Sequence, residues 1–200
     1  MEFNLNLDQK ESTKDILFFV VNNMVNESNI KVLIQEYLTQ EGLLKENLVD
    51  PKIEFGFKFV FPPVPMGKIM FVVKPKTKNK DLVVITIGTQ ISEPHINALN
   101  ALENNKKLQF FLDLRKFFLL KDVYFRIDVE YFRYEISDQM FVEKEEITKN
   151  IFYNSVKKVF NCDAYSNIIL EEYCSGKVKL ESFTKTKELS SGSSEFSLYS

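Results

Sequence analysis

Ile53-Glu54-Phe55-Gly56-Phe57-Lys58-Phe59-Val60-Phe61 places Ile or Phe at every second position, with Glu54, Gly56, Lys58 and Val60 between them. Successive side chains of a strand point to opposite faces, so this period of two predicts a β-strand whose buried face is lined with phenylalanine. A slip of one residue would turn those rings to water, which pins the register. Upstream, Ile30, Leu33, Ile34, Tyr37 and Leu38 fall at i, i+3, i+4, i+7 and i+8, with Gly42 behind them. That spacing predicts an amphipathic helix ended by a C′ glycine. Downstream, Pro62, Pro63, Pro65 and Gly67 interrupt the chain before Ile69 to Val73 resumes as a second strand, giving a hairpin with a long loop. A polar turn from Lys74 to Asp81 leads to Leu82-Val83-Val84-Ile85-Thr86-Ile87. This nearly continuous apolar run predicts a central strand covered on both faces.

Gly88 closes that strand, and Ser92 with Pro94 behind it predicts the start of one long helix reaching about Leu120. On a wheel of about 100° per residue, its apolar side chains from Leu108 to Leu119 cover roughly 220°, broken only by Arg115. A single sheet face needs less. Phe110, Leu114, Phe117 and Phe118 are therefore assigned as a partner-binding face. Its expected cover is either a second copy of the chain or the apolar segment Ile16 to Val21, which suits a helix and a buried strand equally. Val123, Phe125, Ile127, Val129 and Tyr131 alternate as a further strand, with Tyr134, Ile136 and Met140 to Val142 as further pairing, for a sheet of four or five strands. Phe152, Val156, Val159 and Phe160 then make one helical stripe, and Tyr165, Ile168, Ile169 and Tyr173 a second of different phase. The phase change predicts two helices with a break at Asn161-Cys162-Asp163.

The expected organisation is an N-terminal extension over 1–28, a single α+β domain over 29–175, and a flexible C-terminal tail over 176–200 whose Lys-, Glu- and Ser-rich sequence has no period. With 44% apolar and 27% charged residues among 200, the composition is that of a globular protein, unusual in holding 19 Phe and no Trp. A formal charge of −2 gives no global attraction to nucleic acid or anionic lipid. No apolar run reaches the roughly 20 residues of a membrane span. Two cysteines, Cys162 and Cys174, and a polar amino terminus point to a reducing, cytoplasmic location.

Few residues suggest chemistry. His95 is the only histidine, which excludes multi-His metal sites, and it falls in a first helical turn where the macrodipole disfavours its charged form. Asp128 and Glu130 share one face of the expected strand, but solvent and Arg126 account for them without acid–base catalysis. The lysines Lys74, Lys76, Lys78 and Lys80 form the best candidate anion contact, against the plainer reading of a solvated hairpin turn that protects an edge. No phosphate-loop, dinucleotide or hydrolase motif occurs, and no metal ligand set or cofactor is expected.

Phe55-Gly56-Phe57-Lys58-Phe59, Val72-Val73-Lys74-Pro75, Asp81-Leu82-Val83-Val84-Ile85 and Ile91-Ser92-Glu93-Pro94-His95, ahead of a Leu/Phe helix, carry a resemblance. From Ile30 to about Tyr173 the chain resembles an archaeal family of uncharacterised proteins assigned to the type III secretion chaperone-like fold. The resemblance implies the order helix, three strands, helix, strand or strands, helix. The chaperone members of that fold are homodimers that bind extended client segments, and no catalytic or binding residue carries over from the family. The function expected is a non-enzymatic, homodimeric protein-binding module, with the chain itself or another protein as partner. A nucleic-acid-associated factor using the lysine turn, and an enzyme of unrecognised type, are the alternatives.

Overall fold

The computed structural model describes residues 30–63, 67–77, 82–142 and 147–176. The expectations for Ile16 to Val21, for the extension over 1–28 and for the tail beyond Gly176 lie outside the described residues. Helix α1 covers 30–40 and closes on Gly42, whose φ of 66° is the left-handed conformation that glycine adopts without a Cβ clash. It is followed by β1 (Leu44–Asn47), β2 (Ile53–Phe61), β3 (Lys68–Pro75), β4 (Leu82–Gln90), α2 (Glu93–Ala101), α3 (Asn104–Leu120), β5 (Tyr124–Asp128), β6 (Arg133–Phe141) and α4 (Lys149–Cys174). The strands form one antiparallel sheet in the order β1-β2-β3-β4-β6-β5.

The phenylalanine strand is β2. Phe55, Phe57 and Phe59 are buried on its inner face, and Phe59 and Tyr37 of α1 both meet Phe152 of α4. Met70 and Val72 of β3, Val83, Ile85 and Ile87 of β4, and Tyr134 and Ile136 of β6 continue this core. Among the described residues the helices all pack on that face. Consequently Leu82, Val84 and Thr86, on the other side of β4, are half-buried rather than covered. β4 is central, as its sequence predicts, but only one of its faces is sealed.

Four further features differ from the sequence reading. The sheet has six strands, not four or five, because the short edge strand β1 carries Lys45 and Glu46 exposed and leaves no apolar signature. β5 ends at Asp128, and residues 129–132 turn back into β6 with Phe132 at φ 51°, so Val129 and Tyr131 belong to the turn. The expected single helix is divided into α2 and α3, because Leu102 and Glu103 are extended (ψ 155° and 144°) and Leu102 packs against the core.

The two expected C-terminal helices are one helix of 26 residues, α4. Its buried residues run Phe152, Ser155, Val156, Val159, Cys162, Asp163, Ser166, Ile169, Leu170 and Tyr173, an unbroken i+3/i+4 series. Three of those positions are Ser or Asp, and their polarity hides the stripe from a search for apolar residues. Their partners come from the sheet. The Thr89 hydroxyl donates to Asp163 Oδ1 at 2.5 Å, Lys68 Nζ lies 3.6 Å from Asp163 Oδ2, Ser166 Oγ donates to the Asp163 carbonyl at 2.7 Å, and a hydrogen bond of 2.6 Å joins Tyr134 OH to Ser166 Oγ. Burial is the main cause that pushes the Tyr134 hydroxyl up to about 12, against the pull of its Ser166 bond.

Two outcomes follow from this polar strut. Asp163→Ala leaves the Thr89 hydroxyl without its buried acceptor and lowers stability by about 2 kcal/mol, read as a reduced urea midpoint at unchanged slope. Below pH 10 Tyr134 is protonated both folded and unfolded; from pH 10 toward about 12 the unfolded chain loses that proton first, so stability falls as pH rises. Denaturation midpoints measured across this window decline less steeply in Tyr134→Phe than in the wild type.

Candidate functional site

The face assigned to partner binding is satisfied inside the chain. Phe110, Leu114 and Phe118 are fully buried, and neither the Ile16 to Val21 segment nor a second copy is needed to explain it. Sheet residues take one flank of α3, with Phe118 at 5.4 Å from Phe125 and 5.9 Å from Tyr134 between ring centroids. α4 takes the other. Tyr173 meets Phe110 edge-on at 5.5 Å, and Tyr165 stacks on the half-buried Phe117 at 4.5 Å. Between these ring contacts lies a buried carboxylate: Asp113 of α3 accepts from Tyr173 OH at 2.6 Å and from Gln109 at 2.7 Å, with Lys116 Nζ at 3.4 Å. Burial first, and then the Asp113 carboxylate, hold the Tyr173 hydroxyl protonated well above its ordinary range. Phe110, Leu114, Phe117 and Phe118 in the wide apolar arc of α3 are thus packed by two elements of its own chain.

A remainder is left. Leu108, Leu112 and Leu119 fall on one side of α3, at i, i+4 and i+11, and are 59%, 42% and 64% exposed. Leu120, one residue further round, is 83% exposed and stands at the mouth of a groove of about 700 Å³ between α3 and α4. Phe117, Cys162, Tyr165 and Ile169 line this groove, while Lys116, Lys121 and Lys158 reach it from the rim. Cys162 is a free, buried thiol, and burial pushes its titration up although Lys121 and Lys158 pull the other way. Such a thiol is held as SH, the less reactive form. No sequence signal links Phe117 to Tyr165, because the two residues lie on separate helices that only the fold brings together.

The other candidates are dispersed. Lys74 points into the core: it is fully buried and its Nζ meets Glu54 at 2.7 Å, because β2 carries a bulge between Ile53 and Phe55 that leaves Glu54 beside β3. It is therefore removed from the expected anion contact, of which Lys76 is exposed and Lys78 and Lys80 lie outside the described residues. His95 Nδ1 is 2.9 Å from Ser92 Oγ at the start of α2, and its carbonyl accepts from Cys174 Sγ at 3.7 Å. Asp128, the last residue of β5, accepts from the Tyr131 amide and from Arg133, and these contacts hold its carboxyl below the usual range. Glu130 lies in the turn, so the two carboxylates do not share a strand face. Among the described residues no three His, Cys, Asp or Glu side chains are grouped to hold a metal, and no helix is long and apolar enough to cross a membrane.

The chain belongs to the family of uncharacterized conserved proteins designated DUF2299, whose pattern matches residues 30–170. Among solved structures it is similar to an uncharacterized protein from Methanothermobacter thermautotrophicus at 22% identity and a TM-score of 0.65, over 72% of this chain and 97% of that one. That likeness concerns the fold. No curated protein matches.

Tyr173→Phe removes a buried hydrogen bond to a carboxylate while keeping the ring on Phe110, and lowers stability by about 1.5–3 kcal/mol. Urea denaturation of the variant against wild type measures the loss.

Proposed function

We propose that the chain is a non-enzymatic protein-binding module with a type III secretion chaperone-like fold, and that it works as a homodimer. The observation that carries this reading is the leucine stripe of α3. After the chain's own sheet and α4 have packed on α3, Leu108, Leu112 and Leu119 still face outward along one side of the helix. Scattered single leucines are ordinary on a surface, but three aligned on one helix face form a contact seam suited to another polypeptide. The module binds through apolar contact, and no step of it requires a nucleophile, a metal or a cofactor. The resemblance to a family assigned to the type III secretion chaperone-like fold, whose chaperone members are homodimers that bind extended clients, supports the same reading, with the chain itself as first partner.

The stripe can be tested without endangering the core, because all three leucines are exposed. Light scattering after size exclusion is expected to give twice the chain mass for the wild type and a single chain mass for Leu108→Lys combined with Leu112→Lys. A wild-type monomer at micromolar concentration overturns the dimer.

A further inference from the structure

We infer that the groove between α3 and α4 seats a segment of a partner protein that carries an aliphatic or aromatic side chain next to a single carboxylate. This rests on the reading of the chain as a protein-binding module, and it concerns a surface separate from the leucine stripe. The groove offers about 700 Å³, within the range of built ligand sites, over an apolar floor of Phe117, Tyr165 and Ile169. Those rings are not a platform for nucleobases, since Phe117 and Tyr165 already stack on each other with 29° between their planes.

The charges on the rim select the partner's chemistry. Lys158 meets Asp138 at 3.1 Å and Asp122 at 3.9 Å, and Lys116 meets Asp113 at 3.4 Å. Lys121 has no carboxylate partner among the described residues, and its Nζ lies 6.0 Å from the Phe117 ring centroid. Among the described residues, one rim cation beside the apolar floor therefore has an aromatic neighbour but no carboxylate. A second copy seated in the groove through the same surface would bring a second Lys121 toward the first, whereas a segment with one acidic residue neutralises it. The apolar lining also reaches out to Leu120, 83% exposed at the mouth of the groove, which a compact ligand would leave wet and a polypeptide segment covers.

The test is fluorescence anisotropy on the full chain with a labelled synthetic peptide in which one Glu sits between Leu and Phe. A version carrying Gln in place of Glu and unlabelled decanoate, a compact apolar carboxylate, serve as comparisons. The Glu peptide is expected to bind about threefold more tightly than the Gln peptide, as for a partly exposed ion pair. Lys121→Ser abolishes that difference, which isolates the pair as a double-mutant cycle does, while Lys76→Ser keeps it. Leu120→Ser weakens both peptides about tenfold, as loss of a central apolar contact does. Lys121 and Leu120 are at the surface, and circular dichroism confirms that the variants stay folded. Failure of the Glu peptide to bind, equal affinity of the two peptides, or a preference that survives Lys121→Ser overturns the inference. So does Lys121-dependent binding of decanoate without binding of the peptide. If the wild type is dimeric by light scattering and the peptide does not bind, the groove assignment fails while the reading of the stripe stands.

Discussion

The placement of α4 on the sheet governs the rest of the molecule. One face of this helix carries Asp163 and Ser166 against Thr89, Lys68 and Tyr134, and buries Phe152, Val156 and Val159 against the phenylalanines of β2 and their neighbours. Apolar contacts are tolerant of small rotations, but hydrogen bonds to a buried carboxylate are not, since a turn of the helix would take Asp163 away from Thr89 and Lys68 of the sheet. The polar strut therefore fixes the rotation of α4 about its axis. Every residue that α4 presents to its other neighbours follows from that angle, including Cys162, Tyr165, Ile169 and Tyr173.

The consequence appears on α3. With Tyr165 and Tyr173 directed at Phe117 and Phe110, and Asp113 bound by Tyr173, the helix is clamped between the sheet and α4. Its core-facing residues are used up within the chain. What α3 offers outward is a stripe of three leucines and a groove whose Lys121 has no carboxylate partner among the described residues. Neither feature is a reactive centre. Both are apolar surfaces of the kind that another polypeptide can cover.

Much of the fold was legible because local pattern and tertiary role agree. The alternation over residues 53–61 is a strand with phenylalanines inward, the 3.6-residue spacing from Ile30 with Gly42 is a helix and its cap, and the apolar run at 82–87 is a central strand. The misreadings have a common origin in residues whose environment reverses their usual meaning. Asp163 looks like part of a helix break and is core; Lys74 looks like a solvated turn and is buried on Glu54; Phe110, Leu114 and Phe118 look like a partner-binding face and are buried, while Leu108, Leu112 and Leu119 of the same helix are exposed. Leu102 and Glu103 carry no proline or glycine, and the bend that separates α2 from α3 is imposed by packing rather than by local preference.

The sequence by itself determined the class of the molecule, an α+β domain with a phenylalanine-lined antiparallel sheet, because hydrophobic period is a property of neighbours along the chain. Only the tertiary structure decided which apolar residues face outward, since that depends on α4 covering α3 from a position some 50 residues further along the chain. The same holds for the groove. Its apolar floor exists because two helices far apart in sequence are brought side by side, and two of the three lysines on its rim, Lys116 and Lys158, pair with carboxylates, an outcome of distances in space that no spacing in the chain encodes.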